Sequence, residues 1–190
     1  MPLALMDRDG VINENRADYV TRWEEFRFLP GALDGLTALQ RLGLRLAVVT
    51  NQSAVGRGLL SARTLEEIHR RMLAHCDVQG VTIEGIFVCP HAPWEGCDCR
   101  KPRPGLLWEA MAALGEPPER CVAIGDGHED LLAARAAAVP FVLVRSGRGE
   151  ETLRHRAFRE YPPLFVAQDL WAAALALGAH IGERLLARAS

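Results

Sequence analysis

Two carboxylates one residue apart, Asp7 and Asp9, follow the short apolar run Leu3-Ala4-Leu5-Met6 and precede Gly10. Acids this close repel, and both stay ionised cheaply only with a cation between them. Along an extended backbone alternate residues share a side, so Asp7 and Asp9 are predicted to face one way and Arg8 the other. The stretch also fits a strand ending in a polar turn, which Asp-Gly often marks. The rest of the chain decides between the two. Thr50, Lys101, Asp126 and Asp130 could complete a phosphoryl-transfer site around the first pair. A carboxylate at a strand tip can be a nucleophile, passing through an aspartyl-phosphate. A phosphoryl group in transfer needs mainly positioning and neutralisation of its dispersed charge. Mg2+ held by a few carboxylates plus substrate phosphate supplies both. Asp7 and Asp126 are then candidate Mg2+ ligands, and Lys101 and Thr50 candidate partners of the phosphoryl oxygens. Asp9 is the candidate proton donor to the leaving oxygen and acceptor from the attacking water. Asp130, one helical turn after Asp126, is placed to orient water around the ion. Singly, each has a plainer explanation: a strand-end cap, a solvated charge, an acid in a helix first turn. Jointly, in the order Asp-x-Asp, Thr, Lys, Gly-Asp, they favour a site.

A second cluster lies in one loop. Cys89-Pro90-His91 and Cys97-Asp98-Cys99 are separated by five residues, Ala92 to Gly96. Three thiolates and one imidazole suit tetrahedral zinc, and four protein ligands leave no position for water, so the Zn2+ would be structural. The alternative is a loop with incidental reduced cysteines. Bound zinc would rigidify the loop that hands Arg100 and Lys101 to the site, and its binding energy would also be folding energy. Cys76 and Cys121 fall in a predicted helix and strand and read as small buried apolar residues.

These residues need elements to position them. Strands are predicted at 3–6, 44–49, 83–88, 120–125 and 141–144, with a short sixth at 164–166. Leu33, Leu36, Leu39 and Leu42 repeat at helical spacing up to Gly43. Further helices are predicted at 62–77 behind Ser61 as N-cap, at 105–114 behind Pro104, at 129–138, and from Asp169 to about 177. The alanine-rich residues 179–189 read as another, separate helix, and 15–27 as a loop. Strands alternating with helices predict an α/β parallel sheet covered on both faces. Asp7, Thr50 and Asp126 would all lie at its carboxyl edge, where such sheets bind ligands.

At 190 residues, 49% apolar and 24% charged, the chain reads as one domain, 1–190, with a substantial core. A net charge of −2 without basic tracts gives no support for a nucleic-acid or membrane partner. No secretory signal or membrane span is legible, and five cysteines argue against a disulfide framework. A cytoplasmic enzyme or binding protein fits.

Asp7-Arg8-Asp9-Gly10, Thr50-Asn51-Gln52-Ser53, Arg100-Lys101-Pro102 and Gly125-Asp126 with Asp130 resemble the four motifs of the haloacid dehalogenase (HAD) superfamily of phosphohydrolases. The resemblance covers nearly the whole chain. It implies a Rossmann-like sheet, and no long insertion is present to make a large cap domain. It implies Asp7 as nucleophile, Asp9 as acid and base, and Thr50 and Lys101 as phosphoryl stabilisers. Mg2+ would be held by Asp7, the carbonyl of Asp9, and Asp126, with Asp130 behind them.

The cysteine loop followed by Arg100-Lys101-Pro102 narrows the resemblance to two branches. One removes the 7-phosphate of D-glycero-D-manno-heptose 1,7-bisphosphate; the other hydrolyses histidinol phosphate. Tyr19-Val20, Phe28-Leu29-Pro30-Gly31, Asn51-Gln52-Ser53 with Arg57-Gly58, and Lys101-Pro102-Arg103-Pro104-Gly105 are more similar to the first. The compact spacing from His91 to Cys97 is closer to the second. The heptose branch implies a substrate-contacting loop over Asn15, Arg16, Ala17, Asp18 and Tyr19. It also implies substrate contacts from Asn51, Gln52, Ser53, Arg57 and Arg100. One position departs: both branches usually carry a basic residue after the motif aspartate, and this chain has Gly127, then His128. Arg16 or His128 could compensate. The expectation is a monomeric, Mg2+-dependent sugar-phosphate phosphatase with structural Zn2+. Histidinol-phosphate hydrolysis is the enzymatic alternative. A phosphosugar-binding module without turnover is the non-enzymatic one, and the presence of Asp9 argues against it.

Overall fold

Leu3–Met6 forms β1, a strand whose four residues are all buried. It lies inside a six-stranded sheet with β2 (Arg45–Asn51), β3 (Ile83–Cys89), β4 (Cys121–Gly125), β5 (Phe141–Val144) and β6 (Phe165–Ala167). The order is β3-β2-β1-β4-β5-β6, and every pairing is parallel. The structure is a computed structural model; it describes residues 2–189, and side chains as far as residue 181.

Alternation along the strands divides the apolar residues between two cores. Ala4 and Met6, with Leu46, Val48, Val122 and Ile124, face one side. There they meet α1 (Ala32–Arg41), α2 (Ala62–Val78) and α7 (Leu170–Ala189) through Leu36, Leu39, Ile68, Met72 and Leu170. Leu3, Leu5, Ala47, Val49 and Ala123 face the other side. There they meet α3 (Gly105–Leu114), α4 (His128–Ala136) and α6 (Arg156–Glu160) through Leu106, Leu107, Leu131 and Ala157. Burial on both faces is why the central strands are continuously apolar in sequence.

The chain passes from β1 outward to β2 and β3, then returns to lay β4 against the other edge of β1. The crevice at such a reversal is where doubly wound sheets bind ligands. Asp7 follows β1 and Asp126 follows β4, and Met6 pairs with Ile124 in register, so the two acids flank the crevice.

The expected helices and strands are present, with differences at their ends. Ser61 caps α2, its Oγ accepting from Thr64 N at 3.0 Å, and Asp169 Oδ1 accepts from Ala172 N at 2.8 Å. β2 runs on through Thr50 and Asn51, and β3 through Cys89. The loop expected at 15–27 contains a 3-10 turn, Trp23–Glu25. It is ordered by ring packing: Trp23 stacks on Phe26 at 5.1 Å and meets His75 of α2 at 5.0 Å. Such tertiary contacts leave no periodicity to read. A short helix α5 (Gly149–Thr152) and α6 were not expected.

The C-terminal expectation is corrected. Residues 170–189 form one helix, with no break at Gly178. A Cβ at Gly178 would sit 3.1 Å from Leu42 Cδ2, so the glycine admits a close approach of α7 to α1. Ser190 lies outside the described residues. Among the described residues no helix is long and apolar enough to cross a membrane.

Candidate active site

Asp7, Asp126 and Asp130 each offer an oxygen, all within 4.8 Å of one another, and all three residues are buried. Lys101 reaches into this cluster. Its Nζ is 3.0 Å from Asp7 Oδ1 and 2.5 Å from Asp130 Oδ1, and it donates to Val49 O at 2.8 Å. The peptide of Lys101 is gripped by Asn51, whose Oδ1 accepts from Lys101 N and whose Nδ2 donates to Lys101 O, both at 3.1 Å. The last residue of β2 thus fixes a lysine fifty positions away. Asp130 Oδ2 accepts from Gly127 N at 3.0 Å, capping α4 while its other oxygen holds Lys101.

Asp126 is 0% exposed and sits in a cradle of two glycines. Gly10 (φ +87°) and Gly147 (φ +60°) both adopt left-handed backbone. A Cβ on either would lie 2.1 Å from Asp126 Oδ2. Ser146 Oγ donates to Gly10 O at 2.7 Å and joins the two loops. Asp126 Oδ2 accepts from Arg148 N at 2.7 Å, while the buried Oδ1 has no hydrogen-bond partner.

Burial pushes Asp7 up to about 6, with Asp130 and Asp9 adding to the shift and Lys101 opposing it. Burial, then Asp130 and Asp7, push Asp126 well above the ordinary carboxylate range. Burial works against the Lys101 ammonium, but Asp130 and Asp7 more than offset it and hold it protonated. Fully ionised, three acids and one lysine carry an excess of two negative charges. An orphaned buried carboxylate oxygen and that excess fit a hard divalent cation such as Mg2+.

Asp9 is oriented differently from its neighbour. Its carboxylate accepts from Arg8 Nη2 at 2.9 Å, Asn13 Nδ2 at 2.8 Å and Gln52 Nε2 at 2.7 Å. Burial raises its pKa, but Arg8, Asn13 and Gln52 together bring it below the usual carboxylate value. The expectation that Arg8 points away is therefore corrected. β1 ends at Met6 and Arg8 lies in a bend, so strand alternation does not carry through 7–9. Arg8 is 1% exposed, forks to Asp9 and approaches His69 Nε2 at 3.0 Å. Burial, with Arg8 beside it, pushes His69 down to about 3, so its ring is neutral and accepts.

These groups open into a cleft also lined by Asn15, Arg16, Tyr19, Asn51, Gln52, Ser53, Arg57 and Arg100. Thr50 is buried beneath Gln52, whose amide donates to Thr50 Oγ1 at 2.9 Å. Ala17 and Asp18 are exposed and outside the cleft lining. Asp18 instead holds Arg16 at 2.6 Å, and Tyr19 O accepts from Arg16 Nε at 3.1 Å. Arg57 lies over the Trp94 ring at 4.9 Å. His128 does not line the cleft; it stacks on His155 at 4.0 Å.

Among the lining residues, Val20, Glu129 and Arg148 were not expected as site residues. Arg148 follows β5 in the run Ser146-Gly147-Arg148-Gly149, an arginine between glycines after a strand tip. Arg57, between Gly56 and Gly58 after β2, has the same form, and that similarity was the available signal. Glu129 had none beyond its place in a helix first turn.

The cysteine loop gathers its four candidate ligands. Cys89 Sγ is 3.6 Å from His91 Nδ1 and from Cys97 Sγ, His91 Nδ1 is 3.2 Å from Cys99 Sγ, and Cys99 Sγ is 3.4 Å from Cys97 Sγ. Tetrahedral zinc, at about 2.3 Å from sulfur and ~2.0 Å from nitrogen, sets its donors ~3.5–3.8 Å apart. The donor set and spacing fit Zn2+. The loop packs on the segment carrying Arg57, for Gly56 N donates to Pro90 O at 2.8 Å and a Cβ on Gly56 would meet Ala92 N at 2.5 Å.

A family model for HAD-hydrolase-like proteins matches residues 98–173. The D-glycero-beta-D-manno-heptose-1,7-bisphosphate 7-phosphatase of Pseudomonas putida is 42% identical over 153 residues, covering 80% of this chain and 87% of that protein. The D-glycero-alpha-D-manno-heptose-1,7-bisphosphate 7-phosphatase of Mycobacterium tuberculosis is 38% identical over 189 residues, covering 94% and 93%. The crystal structure of D,D-heptose 1,7-bisphosphate phosphatase from B. bronchiseptica, complexed with magnesium and phosphate, superposes with a TM-score of 0.86 at 34% identity, covering 93% of this chain and 98% of that one.

Proposed function

This chain belongs to the HAD-like hydrolases, among their heptose-bisphosphate phosphatases, and is a phosphatase; we propose that it removes the 7-phosphate of D-glycero-D-manno-heptose 1,7-bisphosphate. The observation that carries the substrate is the cleft rim, where Arg16, Arg57, Arg100 and Arg148 surround the buried acids. A bisphosphate brings a second dianion to those guanidiniums, which bind phosphate well. Histidinol phosphate would bring an ammonium instead, and the rim would repel it.

In this reading Asp7 attacks phosphorus, the bond to the sugar oxygen breaks, and a phospho-Asp7 forms. Water then cleaves that acyl phosphate, restoring Asp7 and releasing phosphate. Lys101 and the Thr50 hydroxyl face the phosphoryl oxygens; Gln52 donates to Thr50 Oγ1, which leaves the hydroxyl proton free to donate. Asp9 protonates the leaving oxygen and then takes a proton from the attacking water. Arg8, Asn13 and Gln52 hold Asp9 in its anionic form, the form the second step needs. Asp7, Asp126 and the Asp9 carbonyl would hold Mg2+, with Asp130 supporting them through Lys101. When bound, the ion neutralises the phosphoryl group and the excess negative charge of the cluster.

Cys89, His91, Cys97 and Cys99 would hold a structural Zn2+ that fixes Arg100 and Lys101 beside the cleft. The five free cysteines support a reducing, cytoplasmic setting. One copy carries all the groups the reaction needs, which supports a single-domain enzyme acting as a monomer.

Phosphate release in Mg2+, compared for both anomers of heptose 1,7-bisphosphate and for histidinol phosphate, tests the proposal. A higher kcat/KM on a heptose anomer, abolished in Asp7→Asn, is expected. Preference for histidinol phosphate overturns the substrate, and wild-type turnover by Asp7→Asn overturns the nucleophile. Heptose bisphosphate binding without phosphate release would favour a binding module.

A further inference from the structure

We infer that Arg148 is a specificity-determining residue whose guanidinium, set beside Gly127 by Glu129, binds the substrate phosphate that is not transferred. The inference rests on the substrate being a sugar bisphosphate.

Gly127 has extended backbone (φ −97°, ψ 152°) that any residue can adopt. Its missing side chain is therefore a matter of space. A Cβ there would lie 2.6 Å from Arg148 Nη2 and 2.8 Å from Glu129 Oε2. Arg148 arrives from the loop after β5 and fills the volume that a side chain at 127 would take. It is fixed at both ends. Its N–H is spent on Asp126 Oδ2 at 2.7 Å. Its Nη1 and Nη2 each lie 3.3 Å from an oxygen of Glu129, Oε1 and Oε2 respectively. One hydrogen bond, from Nη1 to Oε1, and the close ion pair beside it hold the guanidinium against that carboxylate.

That arrangement leaves Arg148 with donors to spare. A guanidinium has five N–H groups, and Glu129 accepts a hydrogen bond from one of its nitrogens, Nη1, with Nη2 beside it only as an ion pair. The side chain is 43% exposed, unlike Lys101 at 3%, so it stands at the mouth of the cleft and outside the buried cluster. Its Nε is 4.0 Å from Asp126 Oδ2, too far for a hydrogen bond. The transferring phosphoryl group meets Lys101 inside; a second phosphate must find its cations on the rim. Arg57 and Arg100 approach from the β2 side and the cysteine loop, and Arg148 from the β4–β5 side, so a bisphosphate spanning the cleft meets charge on both walls. An exposed arginine–glutamate pair stabilises the fold little. Its consequence is a pre-aimed cation.

The test compares Arg148→Ala with wild type on two esters in Mg2+: heptose 1,7-bisphosphate and heptose 7-phosphate, which carries only the scissile phosphate. Losing a charge-assisted contact to the second phosphate is expected to lower kcat/KM on the bisphosphate ~10–100-fold through KM, with kcat within about twofold. On heptose 7-phosphate the variant should match wild type within about threefold. Arg148→Gln, which keeps a polar though shorter side chain and removes the charge, carries the same comparison if the alanine variant fails to fold. Equal losses on both esters would assign Arg148 a structural role and overturn the inference, as would no loss on either. A wild type that does not prefer the bisphosphate overturns it too. Failure of the heptose reading appears in the wild type itself, as no turnover of either ester, and takes this inference with it; failure of the inference alone leaves wild-type turnover intact.

Discussion

Replacing Lys101 by methionine keeps the reach of the side chain and deletes its charge. The ammonium lies 3.0 Å from Asp7 and 2.5 Å from Asp130, at 3% exposure. Removing one partner of a buried ion pair costs about 3–5 kcal/mol, because the remaining charge is buried unpaired. In a chain of this size 1 kcal/mol moves Tm by roughly 2–4 °C, so Lys101→Met should melt ~6–20 °C below wild type in chelator near neutral pH. The pH dependence has a definite sign. Burial has already raised Asp7 to about 6 and Asp126 well above its ordinary value, and losing Lys101, which pulls Asp7 down, raises Asp7 further. A carboxylate raised in the folded state contributes its stability in full below its unfolded pKa and loses it as pH rises through the folded one. Acidification from neutrality toward about pH 5 therefore protonates the unpaired acids and narrows the gap between variant and wild type. Mg2+ should narrow it at neutral pH as well, since the variant's cluster, one positive charge poorer, binds the cation more tightly than wild type and gains more stability from the same concentration. Thermal melts followed by circular dichroism, with chelator or Mg2+ at the two pH values, measure all of this. A variant Tm within about 2 °C of wild type in chelator near neutral pH, or a gap that does not close on acidification, would refute the reasoning.

Asn51→Ala removes both hydrogen bonds to the Lys101 peptide. At about 1 kcal/mol each, kcat/KM should fall roughly 10–30-fold while Tm drops by only a few degrees; undiminished kcat/KM would mean that Lys101 is held in place without Asn51. Protein purified without chelator should contain one zinc per chain by elemental analysis, and Cys97→Ser should lose most of it and lower Tm. Wild-type protein devoid of zinc would remove the metal from the cysteine loop.

Much of the site was legible because its chemistry is local. Asp7 with Asp9, Lys101 after Arg100, and Asp126 with Asp130 are close pairs whose spacing survives folding. The four candidate ligands of the cysteine loop span eleven residues, too few for the fold to scatter them. Asn51 was expected to touch substrate; that it also clamps the Lys101 peptide depends on a contact between residues fifty positions apart. Thr50 was expected at the carboxyl edge of the sheet; it lies there, buried under Gln52 near the end of a β2 that runs two residues further than its apolar run suggested. The helix expected to end near 177 runs on through Gly178, a point of close approach between α1 and α7.

The sequence by itself determined the alternation of strands and helices, hence a parallel sheet with acids at its carboxyl edge. Hydrophobic periodicity and turn residues are properties of neighbours along the chain, and they need no partner to be read. Only the tertiary structure decided which way those acids point. Asp7 turned toward Lys101, Asp126 into a cradle of Gly10 and Gly147, and Asp9 toward Arg8, Asn13 and Gln52. It alone brought Arg148 into the space beside Gly127. Burial and charge pairing are set by residues far apart in sequence, and those pairings separate two aspartates one residue apart into different chemical groups.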